Sequence, residues 1–367
     1  MVHVKHNYSE YLKNIIKTRK FICFGAGKQL SDFLETYVTR NNVNNLVAIL
    51  DSFKAGESIQ VQNKMFQIQT ADDFAKLNKD KNIVILITNI KNYVELVEQL
   101  DKVEAYDGME CYIEHIIFRC FAPADFEFQT SGITQIEKKI HYCWFGGTDI
   151  PKHLQEYVDT WKKYCPDYEI IRWDESNYDI SKNKFMKKAY EERKWAFVPD
   201  YARLDIIYQH GGFYLDTDVE LIKSLDCLRG YEMYLGFDGP DTIGMGVGFG
   251  ARKGHRLLRK MMDIYDEMTF EADNMVSSNV ILTDILKTEG ILINNEYQQK
   301  DDFVVFPSEV LTPFSYDGLG CGVTDKSISI HHNEGSWIDN MLDIKIQIEE
   351  RNRNYFEWIE RRKTKSS

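Results

Sequence analysis

The stretch that most constrains this chain is Pro199-Asp-Tyr-Ala-Arg-Leu-Asp-Ile-Ile-Tyr-Gln-His-Gly-Gly-Phe-Tyr-Leu-Asp-Thr-Asp-Val-Glu220. Pro199 suits the first turn of a helix and Gly211-Gly212 its end. At 100° per residue Asp200, Arg203, Leu204 and Ile207 share one helical face. Leu204 and Ile207 need burial, so Asp200 and Arg203 are charges held beside an apolar surface, where charges are paired or functional. Phe213 to Asp216 then reads as a strand that stops in acid. Asp216 and Asp218 lie two apart, so at an extended strand end their carboxylates point the same way. Two hard oxygen donors so placed suit Mg²⁺ or Mn²⁺, with phosphate oxygens completing the shell. An Asp-x-Asp pair alone is common and is usually a solvated turn; here the helix, the glycine pair and the apolar strand give it weight.

Around this centre the chain divides. Phe21-Ile-Cys-Phe24, Leu46-Val-Ala-Ile-Leu50 and Ile83-Val-Ile-Leu-Ile87 read as buried strands, and the segments after Gly27 and from Tyr93 to Leu100 as helices. Such alternation predicts a parallel sheet, a small Rossmann-like domain over residues 1–125. Gly25-Ala-Gly27 is half of a dinucleotide fingerprint, with Leu30 where a third glycine belongs and Asp51 near the expected ribose-binding position. A structural, acceptor-binding or partner-docking module fits these residues better than a dinucleotide site. A polar stretch from Pro123 to Gln135 marks a boundary. A second domain is expected over 136–340, with strands at Lys139–Phe145 and Tyr168–Trp173 around a helix from Leu154 to Tyr164. Residues 341–367 read as a C-terminal helix and basic tail.

Composition narrows the partners. The net charge of −12, from 57 acidic and 45 basic residues, argues against a nucleic-acid binder, which needs a basic face. The seven cysteines are scattered without a Cys-x-x-Cys pair, as expected of reduced thiols rather than a zinc site or disulfide framework. The N-terminus lacks the apolar core of a signal peptide, and no apolar run approaches the ~20 residues that span a bilayer. A cytoplasmic protein is expected. The tail (Arg351, Arg353, Arg361, Arg362, Lys363, Lys365 with Tyr355, Phe356, Trp358 and Ile359) admits a peripheral contact with the inner membrane face. Glu349, Glu350, Glu357 and Glu360 offset that charge and favour a helix packed on the protein instead.

Two further segments accompany the acidic one: Lys139-Ile-His-Tyr-Cys-Trp-Phe-Gly-Gly147 and Ile330-His-His-Asn-Glu-Gly-Ser-Trp337. Together the three resemble the signature of glycosyltransferase family 32, which includes Och1-like mannosyltransferases and bacterial capsular polysaccharide transferases and is similar in core to the clostridial glucosylating toxins. The resemblance spans about residues 138 to 337. It implies an α/β catalytic domain of the GT-A type, a nucleotide-sugar donor, a glycan or lipid-linked glycan acceptor, a Mn²⁺ or Mg²⁺ cofactor and sugar transfer with retention. By the same likeness Trp144 stacks on the base and the backbone of Phe145 and Gly146 faces the ribose. Asp200 and Arg203 contact the donor sugar or its phosphate, and Tyr214 hydrogen-bonds a phosphate oxygen. Asp218 binds the metal directly, Asp216 binds metal through water or the ribose, and either His331 or His332 completes the shell. Asn279 faces the donor, while Ser336 and Trp337 approach the diphosphate. Because adjacent strand residues face opposite sides, only one of the two histidines is expected to serve.

Four glycines at 244, 246, 248 and 250 mark a segment that another group approaches closely. Asp238, Asp241 and Glu334 are unassigned carboxylates that could act as the base of an inverting enzyme. A Mg²⁺-dependent phosphatase or nucleotidyltransferase could also use the aspartate pair, though it would call for a second acidic cluster. A non-catalytic carbohydrate-binding protein would not need the pair at all.

Overall fold

The computed structural model describes residues 1–39, 41–129, 134–239, 242–272, 277–335 and 340–366, with side chains as far as Lys363. The chain forms two units, Met1–Ala122 together with Asn352–Ser367, and Pro123–Arg351.

In the first unit five parallel strands run in the order His3–Val4, Glu110–Ile113, Val84–Ile87, Phe21–Phe24, Leu46–Leu50. Every residue of Phe21–Phe24 and of Val84–Ile87 is buried, which is why both read as unbroken apolar runs rather than alternating ones. The strands Phe21–Phe24, Leu46–Leu50 and Val84–Ile87 and the helix Tyr93–Asp101 lie where their sequence predicts. The edge strand His3–Val4, the inner strand Glu110–Ile113 and the hairpin Ser58–Val61/Lys64–Gln67 carry no such run and escape a reading by hydrophobicity. The helix after Gly27 covers Lys28–Phe33 and then widens into a π-helical stretch, Leu34–Thr39.

The C-terminal helix spans Met341–Ser366. From Asn352 on it groups with the first unit, burying Tyr355 and Ile359. Tyr355 meets Nδ1 of His6 at 3.2 Å, and Arg362 pairs with Asp101 at 2.7 Å. Along this helix Leu342, Ile344, Ile346 and Phe356 are exposed, whereas Tyr355 and Ile359 are buried. Among the described residues no helix is long and apolar enough to cross a membrane.

The second unit is built on a mixed sheet of eight strands. Its main path is Gln298–Gln299, Val304–Phe306, Met233–Phe237, Phe249–Ala251, Gly212–Tyr214, Lys139–Cys143, Glu169–Trp173, with Ile243–Gly244 added beside Met233–Phe237. Glu169–Trp173, Lys139–Cys143 and Gly212–Tyr214 run parallel, while Phe249–Ala251 is antiparallel to both of its neighbours. Side chains alternate across the sheet. Phe213 and Leu215 join a cluster with Trp161 of the helix Lys152–Tyr164, whereas Tyr214 joins the cluster around the helix Val198–His210. That helix is buried over nearly its whole circumference, Val198 and Asp200 to Ile207, so it lacks the one-sided pattern of a surface helix.

One buried acid sets a pH dependence. Glu114 follows the strand Glu110–Ile113, is 3% exposed, and accepts a hydrogen bond from Nε2 of Gln29 at 2.9 Å. Burial pushes its carboxyl up to about 7, against the pull of the Gln29 bond and Arg119. A folded-state value above the unfolded one means that the native state holds the extra proton. Stability therefore falls as pH rises from the usual carboxylate range through about 7, by roughly 3 kcal/mol for this group. Urea melts of Glu114→Gln between pH 4.5 and 7.5 are expected to lack that part of the decline. A wild-type slope retained in the variant would assign it to other groups.

Candidate active site

The glycine pair delivers the acids. Helix Val198–His210 ends at Gly211 with φ 66°, and Gly212 follows with φ 102°, left-handed geometry that glycine adopts without strain. Gly212 also lies so close to the next strand that a Cβ would sit 2.8 Å from the carbonyl oxygen of Lys139. His141 clamps the turn: Nδ1 accepts from Nε1 of Trp173 at 3.0 Å, so Nε2 is the donor to the Gly211 carbonyl, also at 3.0 Å. Burial pushes His141 down to about 4, which keeps this tautomer neutral. The strand itself stops at Tyr214. Asp216 and Asp218 sit in a turn closed by Val219 N–H to Asp216 O at 3.0 Å, not on the extended strand end that the spacing suggested.

The turn lets the two carboxylates face different partners. Asp216 meets Arg203 Nη1 at 3.3 Å, and Arg203 Nη2 reaches Asp200 at 3.3 Å. Nε of Arg203 donates to the carbonyl of Pro199 one helical turn back, and its guanidinium lies over the Tyr214 ring, 5.1 Å from the centroid. Asp200 and Arg203 are 6% and 5% exposed. Burial pushes Asp200 up to about 6 despite Arg203. Burial works to lower the pKa of Arg203, yet Asp216, Tyr214 and Asp200 raise it above its usual value.

Asp218 is held from the other side. Val219–Leu221 pairs antiparallel with Ser329–His331, setting Val219 opposite His331. Nε2 of His331 lies 3.4 Å from Asp218 Oδ2, and the backbone N–H of Glu334 donates to the same oxygen at 2.9 Å. Burial alone would raise Asp218, but His331 and the Glu334 N–H bring it to about 2. His332, one residue on, turns the opposite way, with Nε2 2.9 Å from Glu220 and its ring stacked on Tyr157 at 4.0 Å. Of the two histidines, only His331 reaches the acidic pair.

Two features join the site from outside the three motifs. Asp238 brings a third carboxylate, with Oδ1 3.9 Å from Nδ1 of His331 and Oδ2 accepting from Asn279 Nδ2 at 3.2 Å. Gly246 lies directly over the pair, where a Cβ would stand 2.9 Å from Asp216 Oδ2 and 3.7 Å from His331 Nε2. The glycine-rich segment signalled a close approach; what approaches it is the acidic turn itself.

The residues expected to meet a donor are placed unevenly. Trp144 is half-buried, its indole N–H tied to the Thr148 carbonyl at 2.8 Å. Phe145 is a core residue beside Tyr178, which leaves only its backbone for a ligand. Gly146 donates its N–H to Glu175 at 2.6 Å, and a Cβ there would touch the ring of Trp195 at 3.1 Å. Trp195 is thus a second, partly exposed indole beside Trp144's loop that motif reading missed. Tyr214 is fully buried, its hydroxyl directed at Cys143 and Asp216; it supports Arg203 from below and has no surface to offer a phosphate. Asn279 binds Asp238 and accepts from Met245 N–H at 3.2 Å, fastening the glycine segment to the acids. Ser336 and Trp337 lie outside the described residues.

The donor set suits a divalent cation. Asp216 and Asp218 offer hard oxygens and His331 an imidazole nitrogen, and Gly246 keeps side-chain bulk off them. Among the described residues no three His, Cys, Asp or Glu side chains form a ready-made metal cluster, so ligand oxygens would have to complete the shell. Asp218 and Asp238 raise His331 well above its usual value, outweighing burial. A metal held there would have to displace a proton from that imidazole.

Arg203→Met leaves the buried Asp200 and the half-buried Asp216 without their shared cation. The loss in unfolding free energy is expected to be about 3–5 kcal/mol, partly restored by adding Asp200→Asn. Guanidinium melts measure it; a loss below about 1 kcal/mol would be that of a solvent-exposed pair and would contradict the burial argument.

Residues 151–235 match the family described as "Glycosyltransferase sugar-binding region containing DXD motif". A curated relative, inositol phosphoceramide mannosyltransferase 3 of Schizosaccharomyces pombe, is 31% identical over 135 residues, 35% of this chain and 36% of that protein. The chain thus spans about a third of that relative's length. Among solved structures, the PaToxG glycosyltransferase shares 17% identity over 42% of this chain and 69% of its own, with a TM-score of 0.32. A glycosyltransferase involved in glycosylating the major capsid of PBCV-1 shares 9% over 57% and 98%, with a TM-score of 0.34. These scores are too low to assign the fold. The family match falls on the segment that carries Asp200, Arg203, Asp216 and Asp218, so residues 151–235 are similar to the DXD-containing sugar-binding region of glycosyltransferases.

Proposed function

We propose that the chain is a metal-dependent glycosyltransferase that moves a sugar from a nucleotide-sugar to a glycan acceptor, its second unit being a catalytic domain of the GT-A type. The observation that carries this reading is the meeting of Asp216, Asp218, His331 and Arg203 at one turn of the matched region. A Mn²⁺ or Mg²⁺ ion held by Asp218, Asp216 and His331 would supply positive charge to the donor diphosphate. Arg203, fixed by Asp200, Asp216 and the Pro199 carbonyl, keeps a second positive charge beside that position without having to reorganise. Trp144 and Trp195 are the aromatic surfaces available to a base, and we favour uracil over guanine.

Retention fits the carboxylates better than inversion. Asp238 is bound to Asn279 and faces His331, and Glu334 lies 3.7 Å from His153 and 3.6 Å from Lys345. Neither is a free base poised to activate an acceptor; Asp241 lies outside the described residues. Synthesis of a surface or capsular polysaccharide at the cytoplasmic face is the setting we infer. The name of the Schizosaccharomyces pombe relative puts mannose among the sugars to test.

A panel of UDP- and GDP-sugars with and without Mn²⁺, read by nucleotide release, tests the proposal. Slow hydrolysis of one donor is expected, abolished by EDTA and reduced at least 100-fold by Asp218→Asn. His331→Ala is expected to raise the Mn²⁺ requirement at least tenfold, whereas His332→Ala stays within about threefold of wild type. Release that is indifferent to EDTA and to Asp218→Asn would overturn the metal site, and the reverse ranking of the histidines would overturn the assignment of His331.

A further inference from the structure

We propose that the first unit has a ligand site of its own, for a small phosphorylated molecule the size of a nucleoside monophosphate or sugar phosphate, in the crevice beyond the ends of Phe21–Phe24 and Val84–Ile87. The location follows from topology. From Phe21–Phe24 the chain moves to one neighbour, Leu46–Leu50, and the next sheet strand, Val84–Ile87, is laid on the opposite side. Connections that leave in opposite directions open a crevice at the carboxyl ends of the two adjacent strands, where open parallel sheets bind ligands. A cavity of about 510 Å³ lies there, lined by Gly27, Lys28 and Asp32 after the first strand and by Thr88, Asn89 and Lys91 after the second. That volume is within the range of small-molecule sites.

The crevice is held open by its own bonds. Gly25 has φ 112°, and a Cβ on it would meet the Thr88 carbonyl oxygen at 3.0 Å, so the two loops touch at the floor. Thr88 Oγ1 donates to the Gly25 carbonyl at 2.7 Å. The third strand steadies the loop: Asp51 accepts from Ala26 N–H at 2.7 Å, and Lys54 Nζ donates to the Ala26 carbonyl at 2.8 Å. Above this floor Gly27 faces open space, with nothing within 4 Å of where its Cβ would be.

The lining selects the ligand. Lys28 and Lys91 bring two ammonium groups against the single carboxylate of Asp32, and neither lysine pairs with an acid among the described residues. Asn92, the N-cap of Tyr93–Asp101, also lines the cavity and makes no side-chain capping bond. The surplus is positive and rich in donors, as a phosphate requires, with carboxamides for hydroxyl groups. A dinucleotide fits less well. Both oxygens of Asp51, the residue placed to bind a ribose, are already used by Ala26, Phe53 and Lys54 N–H groups, and Leu30 is packed in the core.

The test is hydrogen–deuterium exchange of the full-length protein in EDTA with millimolar UMP, glucose 1-phosphate or inorganic phosphate, read by peptide. At least threefold slowing is expected in segments 25–32 and 88–94 with one or both organic esters, which would support the site and say which ester fills it. Equal slowing by inorganic phosphate would support a site that reads the phosphate alone. Charge reversal, Lys28→Glu with Lys91→Glu, is expected to weaken binding at least tenfold; both changes lie on exposed side chains, and circular dichroism and melting temperature check that the fold is kept. No slowing in these segments with any of the three ligands, or slowing that survives the double reversal, would overturn the proposal. Because exchange is read by position, a failure here leaves the reading of the second unit untouched.

Discussion

A single buried guanidinium sets the architecture of the acidic corner. Arg203 reaches it from a helix enclosed almost all round, and the two carboxylates it holds come from that helix and from the turn beyond the strand. Burying three charges is tolerable only when each has partners within reach, and the arrangement supplies them through the Pro199 carbonyl, the Ser278 hydroxyl and the Tyr214 ring. The helix, the glycine turn and the strand are thereby locked to one another by charge as well as by packing. Asp218, which belongs to the same turn, inherits a fixed position that its own hydrogen bonds would not give it.

Much of this was legible because its signals are local. Pro199, Gly211-Gly212 and the run from Phe213 specify helix, turn and strand within a few residues of their own positions, and the buried strands of the first unit announce themselves by uninterrupted apolar runs. The error at Asp216 and Asp218 is instructive in the same terms. Spacing of two predicts a shared face only while the backbone stays extended, and here the backbone turns one residue too soon, so the carboxylates diverge to Arg203 and His331. What no local pattern carries is pairing across the sheet. Asp238, Gly246 and Trp195 lie far along the chain from the residues they touch; the sequence singles out Asp238 and the glycine segment but not what they meet, and it does not mark Trp195 at all. Tyr214 looked like a ligand contact because it stands in the motif; its burial follows from strand alternation, which sends it inward between Phe213 and Leu215 on the other face.

The two units use charge in opposite ways. In the second, negative groups gather at a turn and are steadied by Arg203 and His331. In the first, two lysines and one acid, Asp32, line a strand-end crevice, and the nearby Asp51 is spent on its own loop. A net charge of −12 therefore says little about either site, since each is governed by a few groups with fixed geometry rather than by the overall balance.

The short ribbon between Val219–Leu221 and Ser329–His331 has a consequence for how the protein comes into being. It joins positions 331 − 219 = 112 residues apart, so during synthesis the acidic turn is made long before the strand that completes it. Until residue 331 has emerged and paired, Asp218 lacks both its imidazole neighbour and the N–H of Glu334. A truncated or stalled chain would carry the whole motif and still have an unfinished centre. The ribbon makes competence a property of the nearly complete unit, reached late and through the slowest kind of contact, one between distant segments.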